Sequence, residues 1–336
     1  MKKITLLIIL VFHLNSYCQT AEEYYKRGLT KVDLKDYSGA IADFNKAIEI
    51  NPNDSEVYFT RGLTKDVLKN LKGAIMDYNK SIEINPNESK FYLHRGFAKG
   101  KLEDFRGAIV DFNKSIEIDP NNSKAYYFSG FAKAELKDFR DAVLDYSKAI
   151  ELNLNDSNAY FKRGRAKSEL ADFRGAIVDY SMSIDINPND SKAYNSRGIN
   201  KALLKDYHGA IADFNRAIEL NPNDSEAYYN RGNVKDDLQD LRGAILDYNY
   251  AITINPNDFK VYFNRGVAKA KLNDFLGAIF DYSKVIELNP NNSKAYYNRG
   301  IIKDDLKQKN SACLDWSKAG ELGYKDAYDL IKKYCN

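Results

Sequence analysis

One period runs through the chain and limits what it can fold into. From Ala21 to Asp326 the sequence repeats every 34 residues, nine times. All seven prolines share one phase: Pro52, Pro86, Pro120, Pro188, Pro222, Pro256 and Pro290. Nine glycines, Gly28 through Gly300, share a second phase, and seven, Gly39 through Gly277, a third; only Gly100, Gly320 and Gly323 fall outside. Units of fixed length that touch only their neighbours argue against a closed single-core enzyme fold and for one stacked array.

The repeats occupy 21–54, 55–88, 89–122, 123–156, 157–190, 191–224, 225–258, 259–292 and 293–326. Counting positions from 1 in each, position 4 is always Tyr, 8 Gly, 14 Leu and 20 Ala, and position 24 is always aromatic, from Phe44 to Trp316. Position 21 is Ile or Val except for Cys313 in the last repeat. Positions 4, 8 and 11 share one helical face, and so do 20, 24, 27 and 28. Each repeat therefore reads as two amphipathic helices, near positions 1–14 and 17–30. Gly and Ala at 8 and 20 remove bulk where the two helices meet. Asn-Pro-Asn-Asp-Ser punctuates most junctions. Its Asn suits a left-handed residue after a helix, Pro prevents continuation, and Asp or Ser caps the next helix. Leu154 replaces the proline after repeat four, and a looser junction is expected there.

These residues resemble the tetratricopeptide repeat (TPR) family: the 34-residue period, Tyr at 4, Gly at 8, Ala at 20, an aromatic at 24 and Pro at 32, from Ala21 to about Tyr324. The resemblance implies an all-α, right-handed superhelical solenoid of nine helix-turn-helix repeats that binds proteins or peptides in a concave groove. One departure is position 7, usually Leu in the family and here Arg in eight repeats, with Ser129 in repeat four. The end departs too. Gly323-Tyr324 replaces the Asn-Pro turn, and a final helix at about 326–335 presents Ala327, Ile331 and Cys335 on one face, as a solenoid cap requires.

The first 18 residues differ from the rest. A basic start, Met1-Lys2-Lys3, precedes nine apolar residues, Ile4 to Phe12, then Ser16 and Cys18 at signal-peptidase spacing. This is a secretory signal in order and proportion, and too short to span a bilayer, which takes about 20 residues. Residues 1–18 are thus read as a cleaved signal peptide and 19–336 as one TPR solenoid. Lipidation at Cys18 and an uncleaved anchor stay open as alternatives. The expected location is the periplasm, the cell envelope or the outside of the cell. With Cys18 removed, Cys313 and Cys335 remain, and an even count in an exported chain suggests a disulfide, two buried thiols being the other reading.

Charge and motifs narrow the function. Lys and Arg number 50 against 47 Asp and Glu, interleaved throughout, which does not suit a nucleic-acid reader. No metalloprotease helix, nucleophile elbow, phosphate-binding glycine loop or paired-cysteine zinc spacing occurs, so no catalytic residue, metal site or cofactor is expected. Lys recurs at position 11 and Asp at 23 in all nine repeats. With Arg at 7 they suggest an ion-pair seam between paired helices, the rival reading being an anion-binding stripe.

The family's groove positions are 2, 5, 6, 9, 12 and 13. Position 5 is aromatic in seven repeats and position 9 apolar in seven, including Phe97 and Phe131. Position 6 becomes Asn in the last three repeats, and two of these carry acidic pairs. The principal ligand surface is therefore expected in repeats seven to nine, from Tyr229, Asn230, Phe263, Asn264, Tyr297 and Asn298, with Asp236, Asp237, Asp304 and Asp305 alongside. The amides face solvent and hold a peptide backbone in this reading, and the ligand is partly apolar with some basic residues. The chain reads as a non-enzymatic adaptor without an integral membrane span. The alternative is a structural or assembly subunit acting through its convex face or ends.

Overall fold

The structure is a computed structural model that describes residues 19–335; the signal segment expected at 1–18, with the expected cleavage after Cys18 or lipidation at it, lies outside the described residues. Among the described residues there are nineteen α-helices and no strand. They fall into two compact units, the chain dividing between Leu170 and Ala171.

The first unit holds α1 (Ala21–Asp33), α2 (Tyr37–Ile50), α3 (Ser55–Val67), α4 (Leu71–Ile84), α5 (Ser89–Lys101), α6 (Phe105–Ile118), α7 (Ser123–Glu135), α8 (Phe139–Leu152) and α9 (Ser157–Glu169). The second holds α10 (Phe173–Ile186), α11 (Ser191–Leu203), α12 (Tyr207–Leu220), α13 (Ser225–Asp237), α14 (Leu241–Ile254), α15 (Phe259–Lys271), α16 (Phe275–Leu288), α17 (Ser293–Asp305), α18 (Lys309–Glu321) and α19 (Asp326–Tyr334). First helices fill positions 1–13 of each repeat, and second helices begin at 17. Within each unit a helix packs on its neighbours in the chain, and first helices of adjacent repeats also touch.

The caps explain two of the recurring residues. Before most second helices an Asp or Asn accepts the backbone N–H three residues on, as Asp36 does from Gly39 at 3.0 Å. A Cβ on Gly39 would come within 2.0 Å of Asp36 Oδ2, so glycine lets the capping side chain close in. Repeat four has Asp141 at this place, and its bond to Asp138 lengthens to 3.4 Å. At the other turn, Asp54 accepts from Glu56 and Val57 and caps α3, with Ser55 the first helical residue.

The left-handed turn residue is not the junction Asn, contrary to expectation. Asn51 is extended (φ −128°), and its side-chain oxygen accepts from Asn53 N–H at 3.3 Å, a local turn that needs no positive φ. Positive φ falls instead at position 15, between the paired helices: Lys35, Lys69, Glu103, Lys137, Ala171, Lys205, Gln239, Asn273 and Lys307. The preceding Leu ends each first helix, and the reversal to the second helix takes place at position 15. The junction at Leu154 keeps the same local bond, Asn155 N–H to Asn153 at 3.3 Å, and the Asn153 N–H is shared between Ala149 and Ile150 where its counterparts bond one carbonyl.

The core is a row of small clusters rather than one interior. Ala40, Phe44, Ala47 and Val57 form one, closed by Tyr24, Tyr25, Val32 and Ile48. At the C-terminal end α19 buries Ala327 against Ala312, Trp316 and Ala319, with Ile331, Tyr334 and Cys335 around them. The second glycine phase sets the helix spacing. A Cβ on Gly198 would lie 2.7 Å from Phe214 Cε1, and Phe214 is itself buried. Gly198→Ala should therefore destabilise by about 1–3 kcal/mol through overpacking, although alanine is the better helix former. Gly100, outside the phases, has nothing within 4 Å of its would-be Cβ, and Gly100→Ala should stabilise by about 0.5–1 kcal/mol. Urea midpoints of the two variants should move in opposite directions; a shared direction would contradict this division of the glycines.

Candidate functional site

The recurring charges form a closed seam. In repeat two, Arg61 Nε donates to Asp77 Oδ2 at 3.0 Å and Nη2 to Oδ1 at 2.6 Å. Lys65 Nζ lies 2.7 Å from Asp77 Oδ2. The third guanidinium nitrogen, Nη1, donates to Asn45 of the preceding repeat at 2.6 Å, and the guanidinium lies over the Tyr58 ring. The same arrangement recurs at Arg95, Arg197, Arg231, Arg265 and Arg299, with Asn or Ser as the preceding-repeat acceptor. Arg27 makes it with Asp43 and with Gln19. Both carboxylate oxygens and every guanidinium nitrogen are engaged, so these arginines present no anion-binding stripe. Hydrogen bonding from Arg27, with the nearby charges of Arg27 and Lys31, holds the Asp43 carboxyl down at about 2 against the opposing effect of its burial.

The residues expected to bind ligand in repeats seven to nine are brought into register but are already engaged with one another. Tyr229 packs on Tyr248 at 6.2 Å between ring centroids, and Phe263 on Tyr282 at 5.8 Å, so position 5 serves the packing of its own helix pair. Tyr297 packs on Tyr324 at 4.6 Å. The asparagines are half-buried rather than solvent-facing. Asn230 Nδ2 donates to Asn195 at 3.2 Å, and Asn264 Nδ2 to Tyr229 Oη at 3.1 Å and to Asn233 at 2.9 Å. Asn298 lies by the hydroxyl of Tyr282, whose pKa burial pushes up to about 12 against the opposing effect of Asn298. Mid-helix Asn here links one repeat to the next. Two shallow depressions flank Asn264. One, of 170 Å³, is lined by Tyr229, Phe259 and Phe263 with Lys260 and Lys294; the other, of 180 Å³, by Asn233, Asp236, Asp237 and Val267. Asp236 is ion-paired with Lys271 at 2.9 Å, while Asp237 and Asp305 are exposed and Asp304 is half-buried.

A larger cavity, of 390 Å³, lies in the first unit at repeats three and four. Phe97, Phe128 and Phe131 from first helices and Phe105 and Phe112 from α6 line it, with Gly96, Gly100 and Lys101. Phe97 and Phe128 meet edge-to-face at 4.5 Å. His94 packs against Phe97 at 5.5 Å, and burial pushes its pKa down, so it sits there as a neutral ring. Lys101 Nζ pairs with Asp66 at 2.7 Å. Sequence reasoning missed this site. Phe97 and Phe131 stood in the groove set, but the signals that complete it are Phe128 at position 6 and the off-phase Gly100, which leaves open the space a side chain would fill.

At the C-terminal end the structure pairs Cys313 with Cys335, their Cα atoms 5.7 Å apart. Among the described residues no group of three or more His, Cys, Asp or Glu side chains could hold a metal ion, and no helix is long and apolar enough to cross a membrane.

Paired antiparallel helices in a fixed repeat, with a glycine against a ring inside eight of the pairs and apolar pockets between first helices, define a helical-repeat scaffold. Tetratricopeptide repeat models match 21–54 and 259–292, 55–88, 89–122, 123–156 and 225–258, and 282–313, and a TPR repeat model matches 202–235. The chain belongs to the tetratricopeptide repeat family, whose repeats are typically non-enzymatic modules for protein–protein interaction. Its fold is similar to that of a tetratricopeptide repeat protein from Parabacteroides merdae ATCC 43184 (TM-score 0.55, 21% identity, 74% of this chain and 99% of that one). It is also similar to the APC/C hetero-tetramer Cut9-Hcn1 (0.54, 14%, 94% and 76%) and to YrrB, a TPR protein with an unusual peptide-binding site (0.50, 21%, 55% and 95%). Comparison with curated proteins gave no match.

The seam makes a pH prediction. A carboxyl whose folded pKa lies below its unfolded value of about 3.9 stabilises the fold above that value, and the contribution is lost as pH falls through the folded pKa. For Asp43 the loss should run from about pH 4 down to about 2. Carboxyl-carbon NMR should give Asp43 a midpoint near 2 in the native protein, moved back toward the ordinary range by Arg27→Gln. An ordinary midpoint in the native protein would contradict the clamp.

Proposed function

We propose that the chain is an exported adaptor without catalytic activity that binds protein or peptide segments on its first-helix faces. The observation that carries this reading is the phenylalanine-lined cavity of 390 Å³, wide enough for a large side chain and kept open by Gly100. Large apolar cavities of this kind mark binding sites, and aromatic walls give contact area at little entropic cost. A ligand segment would anchor an aromatic or branched aliphatic side chain there. The depressions around Asn264 would hold a second stretch, apolar over Tyr229 and Phe263 and basic toward Asp237. Each surface stands within its own unit.

A second reading, an assembly subunit working through its outer face, is favoured by one row of residues. Met76, Val110 and Leu144 in the first unit, and Leu246, Phe280 and Leu314 in the second, stand at position 22 of the second helices, turned from the core and exposed.

Export through the 1–18 segment and removal after Cys18 complete the proposal, and would deliver the chain to the periplasm, the cell envelope or the medium. In such an oxidising compartment Cys313 and Cys335 would form a disulfide that ties α19 to α18. Their Cα separation of 5.7 Å suits one. Closing this loop would stabilise by about 3 kcal/mol in the chain-entropy model, at the end of the array most prone to fray.

Two measurements test these points. Peptides selected from a random library on the purified protein should carry an apolar anchor. Gly100→Leu, which fills the cavity, should weaken them at least about tenfold, or about 1.4 kcal/mol, without lowering Tm. Replacing Asn230, Asn264 and Asn298 by Ala should weaken only those peptides that bind the second unit. Selected peptides that ignore both variants would move the reading to the outer face. Separately, intact mass of the non-reduced secreted protein should show no alkylatable thiol; two would overturn the disulfide.

A further inference from the structure

Repeat four lacks the arginine that its counterparts place at position 7, and everything that holds that arginine elsewhere is still present. At Arg61, Arg95, Arg197, Arg231, Arg265 and Arg299 the guanidinium has three partners: the buried aspartate of its own second helix, the ring of its own Tyr at position 4, and an Asn or Ser on the second helix of the repeat before. Repeat four keeps Asp145, Tyr126 and, on the repeat before, Asn113. The residue at position 7 is Ser129.

The vacancy leaves marks. Asp145 Oδ2, the oxygen whose counterparts accept from arginine Nε and also face a lysine, is buried with the lysine alone. It retains only the ion-pair contact with Lys133 Nζ at 2.6 Å. Ser129 is fully buried and its Oγ has no partner. The Asp145 side chain is 15% exposed, whereas the clamped aspartates are at most 7% exposed, so the carboxylate can be reached from solvent here and not there. Asn113 is exposed on the same side. The charge count points the same way. A complete copy sets one aspartate against one arginine and one lysine, and repeat four is one positive charge short.

We infer that this gap is a binding site for a guanidinium group, supplied by an arginine side chain of a protein partner. The arginine enters from the solvent side, lies over the Tyr126 ring, donates to the part of the Asp145 carboxylate that solvent reaches and gives a further N–H to Asn113. An arginine fits where a lysine does not, because the site offers a planar fork of acceptors beside an aromatic face, and a compact ammonium already occupies the other approach to Asp145. Position 7 points away from the first-helix pockets, so the site is separate from the groove proposed above and its test does not depend on that reading.

The test uses the full mature chain and a short probe, acetyl-Ala-Arg-Ala-amide, with its lysine and citrulline analogues as controls. The side-chain amide signals of Asn113 and the ring signals of Tyr126 should shift saturably with the arginine probe at millimolar concentration, and at least about fivefold less with either control. Ser129→Arg supplies the missing guanidinium from within the chain. It should raise Tm and abolish the probe-induced shifts. Tyr126→Leu removes the ring face and should weaken the probe severalfold while leaving Ser129→Arg out of the comparison. No saturable shift on the native chain would overturn the inference. So would equal shifts from the lysine or citrulline probe, shifts that persist in Ser129→Arg, or a Ser129→Arg protein that melts lower than the native chain or fails to fold.

Discussion

The buried aspartates of the second helices must be neutralised, and the way this is done links neighbouring repeats within each unit. An isolated carboxylate out of water is costly, and it is tolerated only where cations and hydrogen bonds replace the lost solvent. At Asp43, Asp77, Asp111, Asp213, Asp247, Asp281 and Asp315 an arginine and a lysine, one helical turn apart on the first helix, meet the aspartate at 2.5–3.0 Å. The arginine fork closes its own helix pair, and its remaining nitrogen reaches the repeat before. One residue therefore ties the helices within a repeat and ties that repeat to its neighbour. The glycine at position 8 is what allows this, since the aromatic ring packed on it lets the two helices come close enough for the fork to reach.

That division of labour separates the surfaces. The charged seam lies on the side of the first helix where positions 4, 7 and 11 fall, and the pockets lie where 5, 6, 9 and 12 fall. Position 5 is largely consumed by packing against position 24, so the freedom to vary a binding surface rests with 6, 9 and 12. Repeats three and four use it for phenylalanines and a glycine, repeats seven to nine for amides. The first choice makes an apolar cavity. The second makes a polar ladder between repeats with shallower depressions beside it.

Much of the fold could be read from residue spacing. Ala21–Asp33 and Tyr37–Ile50 match the helices expected at positions 1–14 and 17–30, because Gly, Ala and aromatic residues recur at helical intervals that no strand would need. The seam was readable from Arg, Lys and Asp recurring together. The turn was misread because Asn is a common left-handed residue, yet here a side-chain hydrogen bond satisfies Asn51 in an extended conformation, and Lys35 takes the positive φ. The candidate site was harder to find for a related reason. A conspicuous row of Asn drew attention to repeats seven to nine, but an amide row can bond to itself, and Asn264 bonds to Tyr229 and Asn233. The cavity at Phe128 depends on five rings from three helices converging around a missing side chain, and one-dimensional spacing shows the glycine without showing what surrounds it.

The central claim is that ligand recognition belongs to the first-helix face. A photoreactive phenylalanine analogue placed at residue 97 and, in a second protein, at residue 144 would test it directly. Residue 97 lines the cavity and residue 144 stands on the outer row of the same unit. Both proteins would be expressed as the full chain, irradiated in intact cells and resolved by mass. The account predicts a discrete covalent adduct to a second protein from position 97, reduced by Gly100→Leu, and none from position 144. A discrete adduct from position 144 with none from position 97 would contradict it.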